Sequence, residues 1–303
     1  MRIISALAIV LLAGLAGAQT LIPLPAYSNS FSISSATRGF YFQTPVDFII
    51  TGLRVPDEKN HGKQNVAVYR PAAKPPAYSG SASGGLLFFK AGEPSSTIIP
   101  CQIPFRTGDW VGILGACGDA SIMHNSYGSP RFPSQVLGHS VTLLRFLTQT
   151  NIVVTRGNAP YSNEDNGSIS RIEVYVRPAA TLVGSGTGAP GTFIDFTLTA
   201  RPDANLPFQM GSSFGKGPIH IDTRTIDLSA DDLLVLSVTG LVPMIFNRYS
   251  GYLDTNGTAT ARLNIPNYPI LKGVGIHTAF VTLLGTAPSG VSSISKSFHF
   301  IIL

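Results

Sequence analysis

Runs that alternate apolar and polar residues set the strongest limit on what this chain can become. In Ile169-Ser170-Arg171-Ile172-Glu173-Val174-Tyr175-Val176, the side chains of Ile172, Val174 and Val176 share one face while Arg171, Glu173 and Tyr175 share the other. That is the period of a strand with one packed side and one wet side. It recurs in Gln64 to Arg70, which reads as half-buried. It recurs again in Phe193 to Ala200, where Ile194, Phe196 and Leu198 oppose Asp195, Thr197 and Thr199. At the end of the chain Phe298, Phe300 and Ile302 oppose Ser297, His299 and Ile301, a strand that closes its sheet by pairing. Aromatic and β-branched runs at Gly39 to Gln43, Val46 to Val55 and Val141 to Phe146 add to the count, and helical periodicity hardly occurs. The 31 Gly and 22 Pro residues follow no three-residue period, which removes collagen and leaves an all-β chain.

A length of 303 residues fits about two domains. Between Arg177 and Gly191 the alternation stops and Gly, Ser and Thr accumulate, so the boundary falls there. The expected order is a first antiparallel β-sandwich over residues 19–178, a linker over 179–191 and a second sandwich over 192–303, jelly-roll-like or Ig-like. The second unit lacks the Cys, Trp and Cys spacing of a true immunoglobulin domain. Within it, Asn256-Gly257 signals a hairpin. A three-residue loop, Thr255-Asn256-Gly257 with Gly257 left-handed, keeps the apolar positions in phase by setting Leu253 opposite Ala259.

Arg2, the apolar run from Ile3 to Leu15 and the small residues Ala16-Gly17-Ala18 form a cleavable signal peptide over residues 1–18. The run falls short of the roughly 20 residues that span a bilayer, and no later stretch reaches that length. The expected location is therefore extracellular, periplasmic or on the cell surface. Export favours a bridge between the only two cysteines, Cys101 and Cys117, tying neighbouring strands and stabilising the chain by roughly 3 kcal/mol. A net charge of +5, spread without clusters, is no footprint for nucleic acid.

Gly211-Ser212-Ser213-Phe214-Gly215 satisfies GxSxG, but a strand rather than the required helix follows it, so its glycines read as loop punctuation. No two of the six His residues lie close enough in sequence to seed a zinc site. The long, irregular stretch from Gly115 to Gly138 holds His124, Tyr127 and Arg131, with His139 directly after it. With Tyr161, these supply the candidate ligand-binding residues Tyr127, His124, Arg131 and Tyr161. Trp110, inside a strand, reads as core. The acidic groups Asn163-Glu164-Asp165-Asn166 and Asp227 with Asp231-Asp232 offer loop oxygens of the kind calcium takes, without EF-hand spacing. No other metal or cofactor is implied.

Thr37-Arg38-Gly39-Phe40-Tyr41-Phe42, Pro45 to Pro56 and Ser168 to Glu173 resemble segments of uncharacterised secreted bacterial proteins. Gly251-Tyr252-Leu253-Asp254 to Ile265-Pro266, with the closing Ser295 to Leu303 strand, is similar to a β-rich C-terminal module of exported proteins. The resemblance implies no activity and assigns no residue a role. The expected function is that of a secreted or cell-surface, non-enzymatic protein, structural or binding a glycan or protein partner. The alternative is a secreted hydrolase with its site in the 115–138 stretch.

Overall fold

The computed structural model describes residues 19–222 and 224–303; the expected signal peptide lies outside them. The described residues are 51% strand and 5% helix, which is mostly β, as expected. Its strand ladders are antiparallel and fall into several sheets.

The first half is built from two of these sheets. A four-stranded sheet runs Thr20–Leu21, Glu173–Pro178, Phe48–Arg54, Ile99–Phe105. A ten-stranded sheet has the main path Phe132–Val136, His139–Thr148, Thr37–Gln43, Trp110–Gly118, Lys63–Tyr69, Leu86–Pro94; Ser162–Asn163 pairs His139–Thr148, and Met123–Gly128 branches from the end of Trp110–Gly118 to pair Asn29–Ile33 and Ile169–Ser170. Both sheets send alternate residues into one core, among them Phe40, Phe42, Phe48, Ile50, Val66, Val68, Phe105, Ile113 and Val174. Gly39 sits where Thr37–Gln43 crosses Trp110–Gly118. A Cβ there would overlap the Ile113 carbonyl oxygen, so the pairing requires glycine.

The large sheet is also buried on its outer face. Tyr41, Tyr69, Leu114, Phe146, Ile152 and Tyr161 form a second core there, and the Tyr69 hydroxyl donates to the Gly157 carbonyl at 2.5 Å. Lys63–Tyr69 is therefore buried at every position but its first, not half-buried. Residues 150–161 cover the face that alternation assigned to water. Asn65 tolerates that burial because its side chain donates to Gly118 O at 3.0 Å and accepts from Gly92 N at 2.9 Å.

The stretch from Gly115 to Gly138 is not an irregular loop. It contains Met123–Gly128 and Phe132–Val136, both paired in the large sheet. Short polar residues obscured the first of these: Asn125 and Ser126 are buried in Met123–Gly128, with the Asn125 amide accepting from Arg38 N at 2.7 Å.

In the second half, Ile194, Phe196 and Leu198 point inward as their alternation requires. They share a separate core with Phe208, Met210, Tyr249, Leu263, Phe280 and Ile302. One sheet runs Thr181–Ser185, Phe193–Thr199, Thr258–Asn264, Phe246–Asn247; another runs Ser250–Tyr252, Pro207–Ser213, Gly275–Leu283, Val291–Ile294, with Phe298–Ile301 on Gly275–Leu283. Residues 179–191, read as a linker, form most of a hairpin. Thr181–Ser185 pairs Phe193–Thr199 in register Thr181 to Thr199, and Gly186, Gly188 and Gly191 take left-handed φ between them. The glycines serve a turn, and only residues 179 and 180 separate the last strand of the first half from the first strand of the second.

The Asn256-Gly257 turn forms with Gly257 at φ 72°. Asp254 closes it by accepting from Asn256 N at 2.9 Å and Thr258 N at 2.8 Å. Its flanks do not pair as a hairpin. Ser250–Tyr252 joins Pro207–Ser213 while Thr258–Asn264 joins Phe193–Thr199, so the turn carries the chain from one sheet to the other. Leu253 and Ala261 then enter the core from opposite sides.

A buried polar joint links the halves. Arg177, from Glu173–Pro178, pairs with Asp203 at 3.1 Å with side chains only 6% and 4% exposed. Arg177 also donates to Ser293 Oγ at 2.8 Å, Ser292 O at 2.7 Å and Gln102 Oε1 at 3.3 Å. Asp203 accepts from Thr282 Oγ1 at 2.5 Å and Ser292 Oγ at 2.9 Å. Nearer the surface, Arg106 meets Asp227 at 2.6 Å and Lys296 meets Asp47 at 2.7 Å. Removing one partner of a buried pair costs about 3–5 kcal/mol, because the other charge is stranded.

The cysteines are not bonded; both are buried free thiols. Cys101 lies in Ile99–Phe105, whose neighbour is Phe48–Arg54, whereas Cys117 lies in Trp110–Gly118, whose neighbours are other strands of the large sheet. The strands are consecutive in sequence but not paired, which removes the expected bridge. Both thiols fill the first core. Burial pushes Cys101 up to about 12, and burial with the nearby Asp57 carboxylate raises Cys117 as well. The expected outcome is that Ellman's reagent finds no reactive thiol in the folded protein and two per chain after unfolding without reductant. A disulfide in the purified chain, seen as no thiol in either state, would contradict the packing.

Candidate functional site

The four residues expected to bind a ligand do not converge. Tyr127 is buried in Met123–Gly128, stacked on Phe31 at 6.0 Å with Arg145 5.5 Å above its ring. Tyr161 is 4% exposed and packs on Phe146 and Tyr69 with ring centroids 5.0 and 5.4 Å away. Arg131 takes left-handed φ in the turn after Met123–Gly128 and donates to Asn166 Oδ1 at 3.2 Å. Trp110 lies half-buried against Tyr41. Tyr127 and Tyr161 are thus not the exposed rings that a sugar would stack on.

The GxSxG serine is structural. Ser213 ends Pro207–Ser213, is buried, donates to Gly215 O at 2.7 Å and accepts from Ser229 N at 3.2 Å. Its motif is half strand rather than loop, since Gly211 and Ser212 are strand residues too. Gly211 lies under Leu234 and Val238 of the Asp232–Val238 helix, where a Cβ would crowd Leu234. His220 is exposed on a short ladder, and Asp222 is engaged by Arg224 at 2.6 Å. The acidic groups are likewise committed: Asp165 accepts from Tyr41 at 2.5 Å and Lys74 at 3.0 Å, and Asp231 caps the helix. Among the described residues no group of three or more His, Cys, Asp or Glu side chains is placed to hold a metal ion.

One convergence does involve an expected residue. His124 stacks on His61 with ring centroids 3.3 Å apart and planes within 6°. The pair borders a narrow crevice with Ser30, Pro56, Asp57, Glu58, Lys59, Cys117 and Ser126. Strand pairing builds it: His124 lies opposite both Cys117 and Ser32 in their ladders, and the 56–62 turn brings His61 over the top. Ser32 Oγ and His124 Nδ1 share a hydrogen bond of 2.7 Å. Asp57 holds the turn by accepting from His61 N at 2.9 Å, Gly62 N at 2.8 Å and Ser95 Oγ at 2.7 Å.

These contacts fix protonation. Burial alone would raise the Asp57 carboxyl, but the Ser95 hydroxyl and the two amides outweigh it and hold the group below its ordinary value. Burial, then the adjacent His61 ring, lowers His124. A His124 ring that resists protonation and a protonated Cys117 thiol therefore coexist beside the Asp57 carboxylate, a combination that does not make Cys117 a thiolate nucleophile.

His61 was not singled out in the sequence because its partner is distant along the chain. Strand register, not local spacing, creates such pairs, and no signal short of the register itself reveals them.

Compared with known proteins, the chain matches no family model and no curated protein.

His124 makes stability pH-dependent with a definite sign. Its folded value lies below the ordinary 6.5, so as pH falls the unfolded chain takes up this proton first. The stability tied to neutral His124 is complete above the unfolded value and is lost as pH drops toward the folded one. Urea midpoints are expected to fall between about pH 7 and about pH 5, with a smaller fall in His124→Gln. Equal slopes in the two proteins would contradict the assignment.

Proposed function

We propose that this is an exported, non-enzymatic protein of two sandwich-like units, the second of which binds a partner protein through an aliphatic surface. Export rests on the Arg2 to Ala18 pattern. The two-unit reading is supported by two cores that draw on separate spans of chain, one ending at Val176 and the other beginning at Ala180.

The observation that carries the binding reading is the exposed apolar run on and after the Asp232–Val238 helix. Val235 is 56%, Leu236 41%, Leu241 73% and Met244 78% exposed. The helix packs Leu234 on the sheet below, against Gly211, and leaves these side chains, with Val238 at 40% exposure, to solvent. Adjacent exposed large apolar residues mark interaction surfaces. Aliphatic side chains suit a protein surface, whereas a glycan needs flat rings.

The hydrolytic alternative keeps one observation, the Ser32–His124 hydrogen bond of 2.7 Å beside the Asp57 carboxylate. That serine is bonded to Nδ1, and the crevice behind it is too narrow to admit even a water-sized molecule.

The test immobilises the purified chain and passes over it the exported proteins of the source cells, with a glycan array in parallel. A protein retained by the wild type, lost with the double variant Leu241→Asp and Met244→Asp and kept with His124→Gln, is the expected result. Glycan binding abolished by Tyr252→Ala or Tyr268→Ala, or ester hydrolysis abolished by Ser32→Ala, would replace this reading.

A further inference from the structure

We propose that His277 and His299 form a two-imidazole site for a borderline divalent transition metal, Cu2+ above all. The two residues are direct partners in the ladder between Gly275–Leu283 and Phe298–Ile301, so their side chains leave the same face of the sheet. Their ring centroids are 4.3 Å apart with planes inclined by 28°. The sheet holds both Cα positions, leaving only side-chain rotation to bring two ring nitrogens onto one ion, and sites built on strands are better preorganised than sites on loops.

A second observation points to a ligand. His277 Nδ1 is buried with no hydrogen-bond partner. A buried ring nitrogen that has lost water and gained no partner carries the full cost of desolvation. A metal ion would supply the partner this ring nitrogen lacks; His61 Nε2 is the other buried ring nitrogen without one among the described residues.

The chemistry selects the ion. Neutral imidazole suits copper, nickel and zinc, and affinity for such ligands peaks at Cu2+, whereas calcium and magnesium demand oxygen. With two protein ligands, water completes the coordination. Near the pair, Lys216 opposes a cation and Asp227 favours one, with Asp227 shared with Arg106 at 2.6 Å. The His61–His124 pair is a poorer chelate. Its rings are nearly parallel, so their in-plane lone pairs do not converge, and His124 Nδ1 is already bonded to Ser32. An ion held by His277 and His299 would pin the closing strand Phe298–Ile301 to its ladder partner Gly275–Leu283.

The experiment titrates CuCl2 into the purified chain without an affinity tag, following binding by calorimetry and nitrogen ligation by electron paramagnetic resonance. The expected result is one Cu2+ per chain with nitrogen couplings and a raised unfolding temperature. Because the second imidazole binds intramolecularly, His299→Gln is expected to weaken binding by about tenfold or more, and His277→Gln likewise. His299 is exposed, so its variant keeps the fold even if the His277 variant does not. The double variant His61→Gln and His124→Gln is expected to bind as the wild type does. Absence of Cu2+ binding, or binding unchanged in His299→Gln, would overturn the assignment.

Discussion

The fold depends on what happens to the charge of Arg177. The last strand of the first half delivers this guanidinium into a place where solvent barely reaches, and Asp203, Ser292, Ser293 and Gln102 receive it. Burial lowers its affinity for a proton and Asp203 opposes that effect, the balance expected of an ion pair that survives only because its remaining hydrogen bonds are made. Asp203 is committed twice more, to Thr282 and Ser292. Through these contacts the first half is tied to two strands of a sheet in the second. Two cores that share no residue are thereby held by a polar joint, not by a continuous apolar one.

That arrangement explains why the strands were legible and their partners were not. Ile194, Phe196 and Leu198 declare a packed face by alternation alone, as do Ile172, Val174 and Val176, because a strand with one wet side prints its orientation in the sequence. Lys63–Tyr69 does not, since both its faces are covered and Asn65 satisfies its burial by hydrogen bonds no composition rule anticipates. The glycines of residues 184–191 announce flexibility, but whether they serve a linker or a hairpin depends on the Thr181–Ser185 pairing. The cysteines fail in the same way: a spacing suited to adjacent strands means a bridge only if the strands adjoin, and here they belong to different sheets.

The chemical content of the chain lies in pairs made by register. His61 with His124 and His277 with His299 account for the stacked imidazoles, and neither pair has any local sequence signature. The expected aromatic binders went the other way, because Tyr127 lies in a strand buried at nearly every position and Tyr161 packs into the outer core of the large sheet. Exposed apolar side chains occur in both halves and include rings such as Tyr252 and Tyr268, but the run on and after the Asp232–Val238 helix is aliphatic, which is the reason a protein partner is proposed for it.

If the Arg177 joint carries the coupling, both cores unfold together. Differential scanning calorimetry of the purified chain tests this directly. The account predicts one transition with equal calorimetric and van't Hoff enthalpies, splitting into two when Arg177 is replaced by Met. Two resolved transitions in the unsubstituted chain, or a single one unchanged by Arg177→Met, would contradict it.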